Sequence, residues 1–124
     1  MHFEALSDRD INLWIARQDG YLVEKHGEYW DGVYYSITKN GVRRTVLNIE
    51  TIHTHLPKYA KDPTTILDLC ERWEYKIVGV GQDADTPVWL AYLYGETPKV
   101  GPTFARALLN AVCEKRRREI NNGS

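Results

Sequence analysis

Residues 32–49 read GVYYSITKNGVRRTVLNI. Two β-prone runs, Gly32–Thr38 and Val42–Ile49, flank Asn40-Gly41. That dipeptide suits the two positive-φ positions of a type I′ hairpin turn. The turn fixes the pairing: Lys39 faces Val42, Ile37 faces Arg44 and Tyr35 faces Val46. Val33, Tyr35, Ile37 and Val46 then share one face, expected to be buried. Tyr34, Ser36, Thr38, Arg43, Thr45 and Leu47 share the other, expected to be half-solvated.

Upstream, Tyr21-Leu22-Val23 reads as a short strand and Lys25–Glu28 as a polar turn. Ser7 as N-cap, Asp10 at N3 and a Leu6–Ile11 staple start a helix over about residues 8–18. Its stripe is Ile11, Trp14 and Ile15, and Asp19-Gly20 ends it. Downstream, Glu50–Lys61 contains Pro57 and reads as a connection with one helical turn. Asp62-Pro63 opens the next helix as cap and first residue. Its stripe is Ile66, Leu67, Cys70 and Trp73. Tyr75–Val80 and Val88–Tyr94 are strands joined by the turn formers of Gln82–Pro87. Val88–Tyr94 is apolar on both faces, so it is expected at the centre of a sheet covered on both sides. Gly95–Gly101 reads as a loop. Pro102 opens a last helix with Phe104, Ala105, Leu108, Leu109, Val112 and Cys113 buried. Asn121–Ser124 reads as a frayed tail.

This order predicts an α+β fold, a three-layer α-β-α sandwich. It would hold one mainly antiparallel sheet of four or five strands and about three helices. Residues 1–124 are expected to form one domain with a β-hairpin insertion at about 29–50. The composition agrees: 124 residues, 43% hydrophobic and 27% charged, as in ordinary globular domains. Lys and Arg total 16 against 17 Asp and Glu, a net charge of −1. A strong global attraction to nucleic acid is therefore excluded, although a local basic patch is not. No apolar run suits a membrane span, and Met1–Asp10 has no signal-peptide pattern. Cys70 and Cys113 read as reduced, buried thiols. Four Trp and eight Tyr against two Phe favour partly buried surfaces and interfaces.

The second half carries Leu56-Pro57-Lys58-Tyr59, Asp62 with its helix to Trp73, and Tyr75-Lys76-Ile77. Trp89-Leu90-Ala91-Tyr92, Gly95, Thr97-Pro98 and Phe104–Val112 follow. With the opening Leu6-Ser7-Asp8, this series resembles the small bacteriophage and prophage proteins of the phage ABA sandwich family. The resemblance implies an α-β-α sandwich and a phage or prophage origin, and it transfers no catalytic residue. The chain departs from the family by the longer β region around Tyr29–Ile49.

Several residue sets invite chemistry and fall short of it. His53 and His55 would point one way from an extended segment, but diagnostic further ligands are missing, with His2 and His26 distant in sequence. Asp83 and Asp85 sit in a turn, where aspartates accept local hydrogen bonds. Gly79-Val80-Gly81 lacks the third Gly or the Lys-Ser/Thr of a phosphate loop. Ser7, Ser36 and Ser124 sit in no nucleophile elbow. No catalytic residue, metal or cofactor is expected, and the chain is expected not to be an enzyme.

The expected contact residues are Tyr29, Trp30, Tyr34, Lys39, Arg43 and Arg44 for a partner. Lys115, Arg116, Arg117 and Arg118 are expected for phosphate or an acidic surface. With the phage resemblance, these suggest a non-enzymatic accessory protein in the cytoplasm of a bacterial host. It would occlude a host protein, for instance an anti-phage defence component such as a CRISPR effector. One alternative is a nucleic-acid-associated module using the local basic patches. Another is a small-molecule binder or enzyme with a pocket between sheet and helix. Homo-oligomers through the aromatic-rich sheet fit all three, and a membrane partner fits none.

Overall fold

A computed structural model describes residues 2–27, 32–82 and 84–122. After a 3-10 turn at Phe3–Ala5 come α1 (Asp8–Gln18), β1 (Leu22–His26), β2 (Tyr34–Lys39) and β3 (Val42–Val46). They are followed by α2 (Ile49–His55), α3 (Pro63–Arg72), β4 (Ile77–Gln82), β5 (Trp89–Leu93), β6 (Lys99–Gly101) and α4 (Phe104–Asn122). The fold is α+β. Among the described residues it has four α-helices and two three-stranded antiparallel sheets, β1-β2-β3 and β4-β5-β6. The expected single sheet of four or five strands is thus replaced by two, and the expected three helices by four. Contacts divide the chain into two compact units, Arg9–Pro57 and a second made of Met1–Asp8 with Lys58–Ser124.

In the Arg9–Pro57 unit, α1 runs over the expected span and buries Ile11, Ile15 and Ala16. Gly20, at φ +93°, ends it in the left-handed conformation that glycine tolerates. The hairpin register is as read: Lys39 opposite Val42, Ile37 opposite Arg44, Tyr35 opposite Val46. Asn40 and Gly41 both take positive φ, 51° and 80°, as a type I′ turn demands. Lys25 and His26, expected in a turn, instead pair with Tyr35 and Tyr34. The connection after the hairpin is a seven-residue helix, capped by the Asn48 side chain accepting from Thr51 N at 2.9 Å. It buries Ile52, one turn before the buried Leu56. The face of Ile37 and Val46 is buried at these two residues, but Val33 is exposed. On the opposite face Ser36 is fully buried.

In the other unit, Asp62 caps α3 with Pro63 behind it, as read, its side chain accepting from Thr64 N at 3.0 Å. The buried residues are Ile66, Leu69 and Cys70, while Leu67 is exposed. α4 forms the middle layer: it meets β4, β5 and β6, and also α3 and the 3-10 turn. Every residue from Ala105 to Cys113 is therefore buried, the pattern of a helix covered all round. The helix begins at Phe104, two residues after Pro102, with the Thr103 hydroxyl accepting from Arg106 N at 3.2 Å. Asn121 and Asn122, expected in the tail, lie in its last turn. The expected loop Gly95–Gly101 contains β6. Gly101 is required there: a Cβ would lie 2.6 Å from Ala107 N.

Arg106 is buried inside this layer. Its guanidinium donates to Asn110 Oδ1 (3.0 Å), Asp8 Oδ1 (2.6 Å), Phe3 O (2.7 Å) and Leu6 O (2.6 Å). Asn110 Nδ2 in turn donates to Val100 O at 2.8 Å. Replacing Arg106 by Met strands two carbonyls and a carboxylate. In urea denaturation this should cost about 3 kcal/mol. Asp8→Asn, at a side chain 39% exposed, should cost only about 1 kcal/mol.

Candidate functional site

β5 lies between β4 and β6, the central position expected of it, but it is covered on one side only. Trp89, Ala91 and Leu93 face α4, and Trp89 meets the Phe104 ring edge-on at 6.0 Å. Leu90 and Tyr92 point the other way and remain exposed at 45% and 37%. Val100, opposite Leu90, and Val78 are also exposed. On β4, Gly81 faces Leu90 and Gly79 faces Tyr92. A Cβ at either glycine would meet nothing within 4 Å. The result is a trough of about 480 Å³ with a glycine floor and Val, Leu and Tyr walls, lined by no charged side chain. Exposed contiguous apolar surface of this kind marks interaction sites on soluble proteins. The sequence reading missed it, because a two-faced apolar strand is equally compatible with burial on both sides. The available signal was the alternating Gly79 and Gly81, which keep side chains off one face.

The hairpin separates the residues expected to act together. Antiparallel pairing puts Tyr34 and Arg43 on the face of His26 and Ser36, and Lys39 and Arg44 on the face of Ile37. On the first of these faces the His26 ring stacks on Tyr34 at 5.0 Å. His26 Nε2 lies 2.8 Å from Ser36 Oγ and 3.3 Å from an Arg43 guanidinium nitrogen. A guanidinium only donates, so Nε2 is the acceptor and the imidazole proton sits on Nδ1. The Ser36 hydroxyl and Arg43 thus compete for the one Nε2 lone pair, and Arg43 is the longer contact. A hydroxyl on an imidazole resembles a nucleophile with its base, yet Ser36 has 0% exposure. Substrate has no path to its oxygen, and the contact orients the imidazole instead. Tyr29 and Trp30 lie outside the described residues, as does Asp83.

The four cations Lys115–Arg118, in the second half of α4 and ahead of its last turn, all have intramolecular partners. Lys115 lies over the Tyr75 ring at 5.0 Å and Arg116 over Trp73 at 5.1 Å. Arg116 also approaches Glu119 at 3.8 Å. Arg117 pairs with Glu114 and lies 5.5 Å from the Phe3 ring centre, and Arg118 pairs with Glu96. The Tyr75 hydroxyl donates to Glu119, and burial with that bond pushes its pKa well above the usual tyrosine value.

His53 and His55 lie in α2 rather than in an extended segment, so a two-residue step turns them to different sides. Among the described residues no group of three or more His, Cys, Asp or Glu could hold a metal. Gly79-Val80-Gly81 lies within β4. Burial raises Cys70 to about 12 and Cys113 well above the usual thiol value, so neither is a ready nucleophile. No described helix is long and apolar enough to cross a membrane. No protein-family model, curated protein or solved structure matches the chain.

Two solution measurements follow from these environments. Cys70 and Cys113 should stay unmodified by an aromatic disulfide reagent at about pH 8 until the chain is unfolded, then react together. Burial, then Arg9, lowers the pKa of His53 from 6.5, and its Nδ1 is buried without a partner among the described residues. The folded state therefore prefers neutral His53, and that preference is lost as pH falls below 6.5. The urea midpoint should drop more for wild type than for His53→Gln on acidification.

Proposed function

We propose that the chain is a non-enzymatic binding protein, encoded by a phage or prophage, that acts in the host cytoplasm by occluding a host protein. The observation that carries the binding role is the uncharged trough on β4-β5-β6. Its walls offer Leu and Tyr contacts, and its glycine floor admits side chains of a partner. Burial of such a patch contributes about 25 cal/mol per Å², without desolvating any charge. The phage origin and the defence-related target, a CRISPR effector being one example, rest on the resemblance to phage ABA sandwich proteins. Two features speak for binding rather than catalysis: both thiols are held protonated by burial, and the Ser36 hydroxyl is enclosed.

The nucleic-acid alternative is weaker at α4. Phosphate contact there would have to displace the acids and rings already engaged with Lys115, Arg116, Arg117 and Arg118. It keeps some support at the hairpin, where Arg43 and Arg44 are exposed.

The test is capture from a bacterial host lysate with three forms of the protein. Gly81→Glu places a charge in the trough at a position where a side chain finds open space, so folding should be retained. Leu90→Lys does the same from the wall. Both should abolish capture of a protein that wild type retains. Wild type capturing nothing, or capture unaffected by the trough variants, would sink this reading.

A further inference from the structure

The hairpin face that carries Lys39 and Arg44 also carries a hollow of about 310 Å³. It is lined by Tyr21, Ile37, Lys39, Val42, Arg44 and His55, all within the Arg9–Pro57 unit. That volume is at the lower end for sites that take small molecules. The lining divides by chemistry. Ile37 and Val42 form an apolar floor with the Tyr21 ring beside it. Lys39, Arg44 and His55 supply the nitrogens, and no carboxylate lines the hollow.

These nitrogens are prepared to different degrees. Lys39 Nζ is held over the Tyr21 ring at 4.7 Å and donates to the Asp19 carbonyl, with the Asp19 carboxylate 4.0 Å away. An ammonium has three donors, so its position is fixed while donor capacity remains. Arg44 is exposed, and no ion pair or hydrogen bond engages it among the described residues. This contrasts with Arg9, Arg72, Arg106 and Arg116–Arg118, each of which has an acidic partner. A guanidinium matches an oxyanion with two parallel donors. One fixed cation and one guanidinium without a partner among the described residues therefore line the same hollow as Ile37 and Val42.

We propose that this hollow binds a small organic anion. Its phosphate or carboxylate head would lie between Arg44 and Lys39, and its apolar body against Ile37, Val42 and Tyr21. The site is independent of the trough on β4-β5-β6 and of the reading built on it. The β-sheet alternation supplies an internal control, because Arg43 is adjacent in sequence but points to the opposite face.

The experiment titrates the full chain, labelled with nitrogen-15, with phenyl phosphate, benzoate and inorganic phosphate, reading backbone amide shifts. Phenyl phosphate or benzoate should move the signals of Tyr21, Ile37, Val42 and Arg44 and leave β4-β6 unmoved. The stronger of the two identifies the head group. Arg44→Gln should weaken binding roughly tenfold, the loss expected for one charge-assisted contact. Arg43→Gln should bind as wild type does. The proposal is overturned if neither organic anion shifts these signals. It is equally overturned if Arg43→Gln loses as much as Arg44→Gln, since the effect is then general charge attraction. Inorganic phosphate binding as tightly as phenyl phosphate would remove the apolar half of the site.

Discussion

The Arg106 guanidinium is the constraint around which the larger unit is organised. A buried cation is tolerated only when its donors are matched, and here four acceptors meet it from three directions: Asn110 one turn along, the Phe3 and Leu6 carbonyls, and Asp8. These bonds hold the first residues of the chain on α4. Through Asn110 they also reach the Val100 carbonyl of β6. With Gly101 pressed against the α4 backbone, the register of β6 on the helix is set. The same strand places Val100 beside Leu90 on the open face. The trough is thus a consequence of how α4 is held, because α4 occupies one side of the sheet and recruits α3 and the 3-10 turn to its own far side.

That arrangement explains why the layer order was not legible. A helix apolar all round and a strand apolar on both faces satisfy two architectures equally. In one the sheet is central, and in the other the helix is. Within Ala105–Cys113 the distinguishing signal is Arg106 and Asn110, polar groups inside an apolar run. Apart from their bond to each other, their partners lie roughly a hundred positions away or in a three-residue strand, which no local pattern reports. Local chemistry did report the rest. Asn40-Gly41 set the register of two strands, and Asp62-Pro63 started α3 where expected. α2 read only as one helical turn although its Asn48 cap was present, since seven residues with two histidines and a following Pro57 show little periodicity.

For the candidate sites, the alternation rule held more information than the residue list taken from it. Tyr34, Lys39, Arg43 and Arg44 are close in sequence, and the register alone separates them into two pairs. Exposure was not readable at all. Leu90 and Tyr92 carry the same letters whether a helix covers them or not. Only the absence of Cβ atoms at Gly79 and Gly81 distinguishes that face from a packed one.

The positive charges sharpen this point. A cation contributes to binding in proportion to what it has left to give after folding. Those in the second half of α4 form the densest positive run in the sequence, yet each faces a ring or an acid supplied by its own unit. A ligand there would exchange one partner for another and gain only the difference. Among the described residues Arg44 has no ion pair or hydrogen bond to exchange, whereas Lys39, already on the Tyr21 ring and Asp19, would share its donors and contributes mainly a fixed position. On the proposed reading, the densest positive run of the sequence is therefore the weaker anion site, and Arg44 with Lys39 beside the hairpin turn the stronger one.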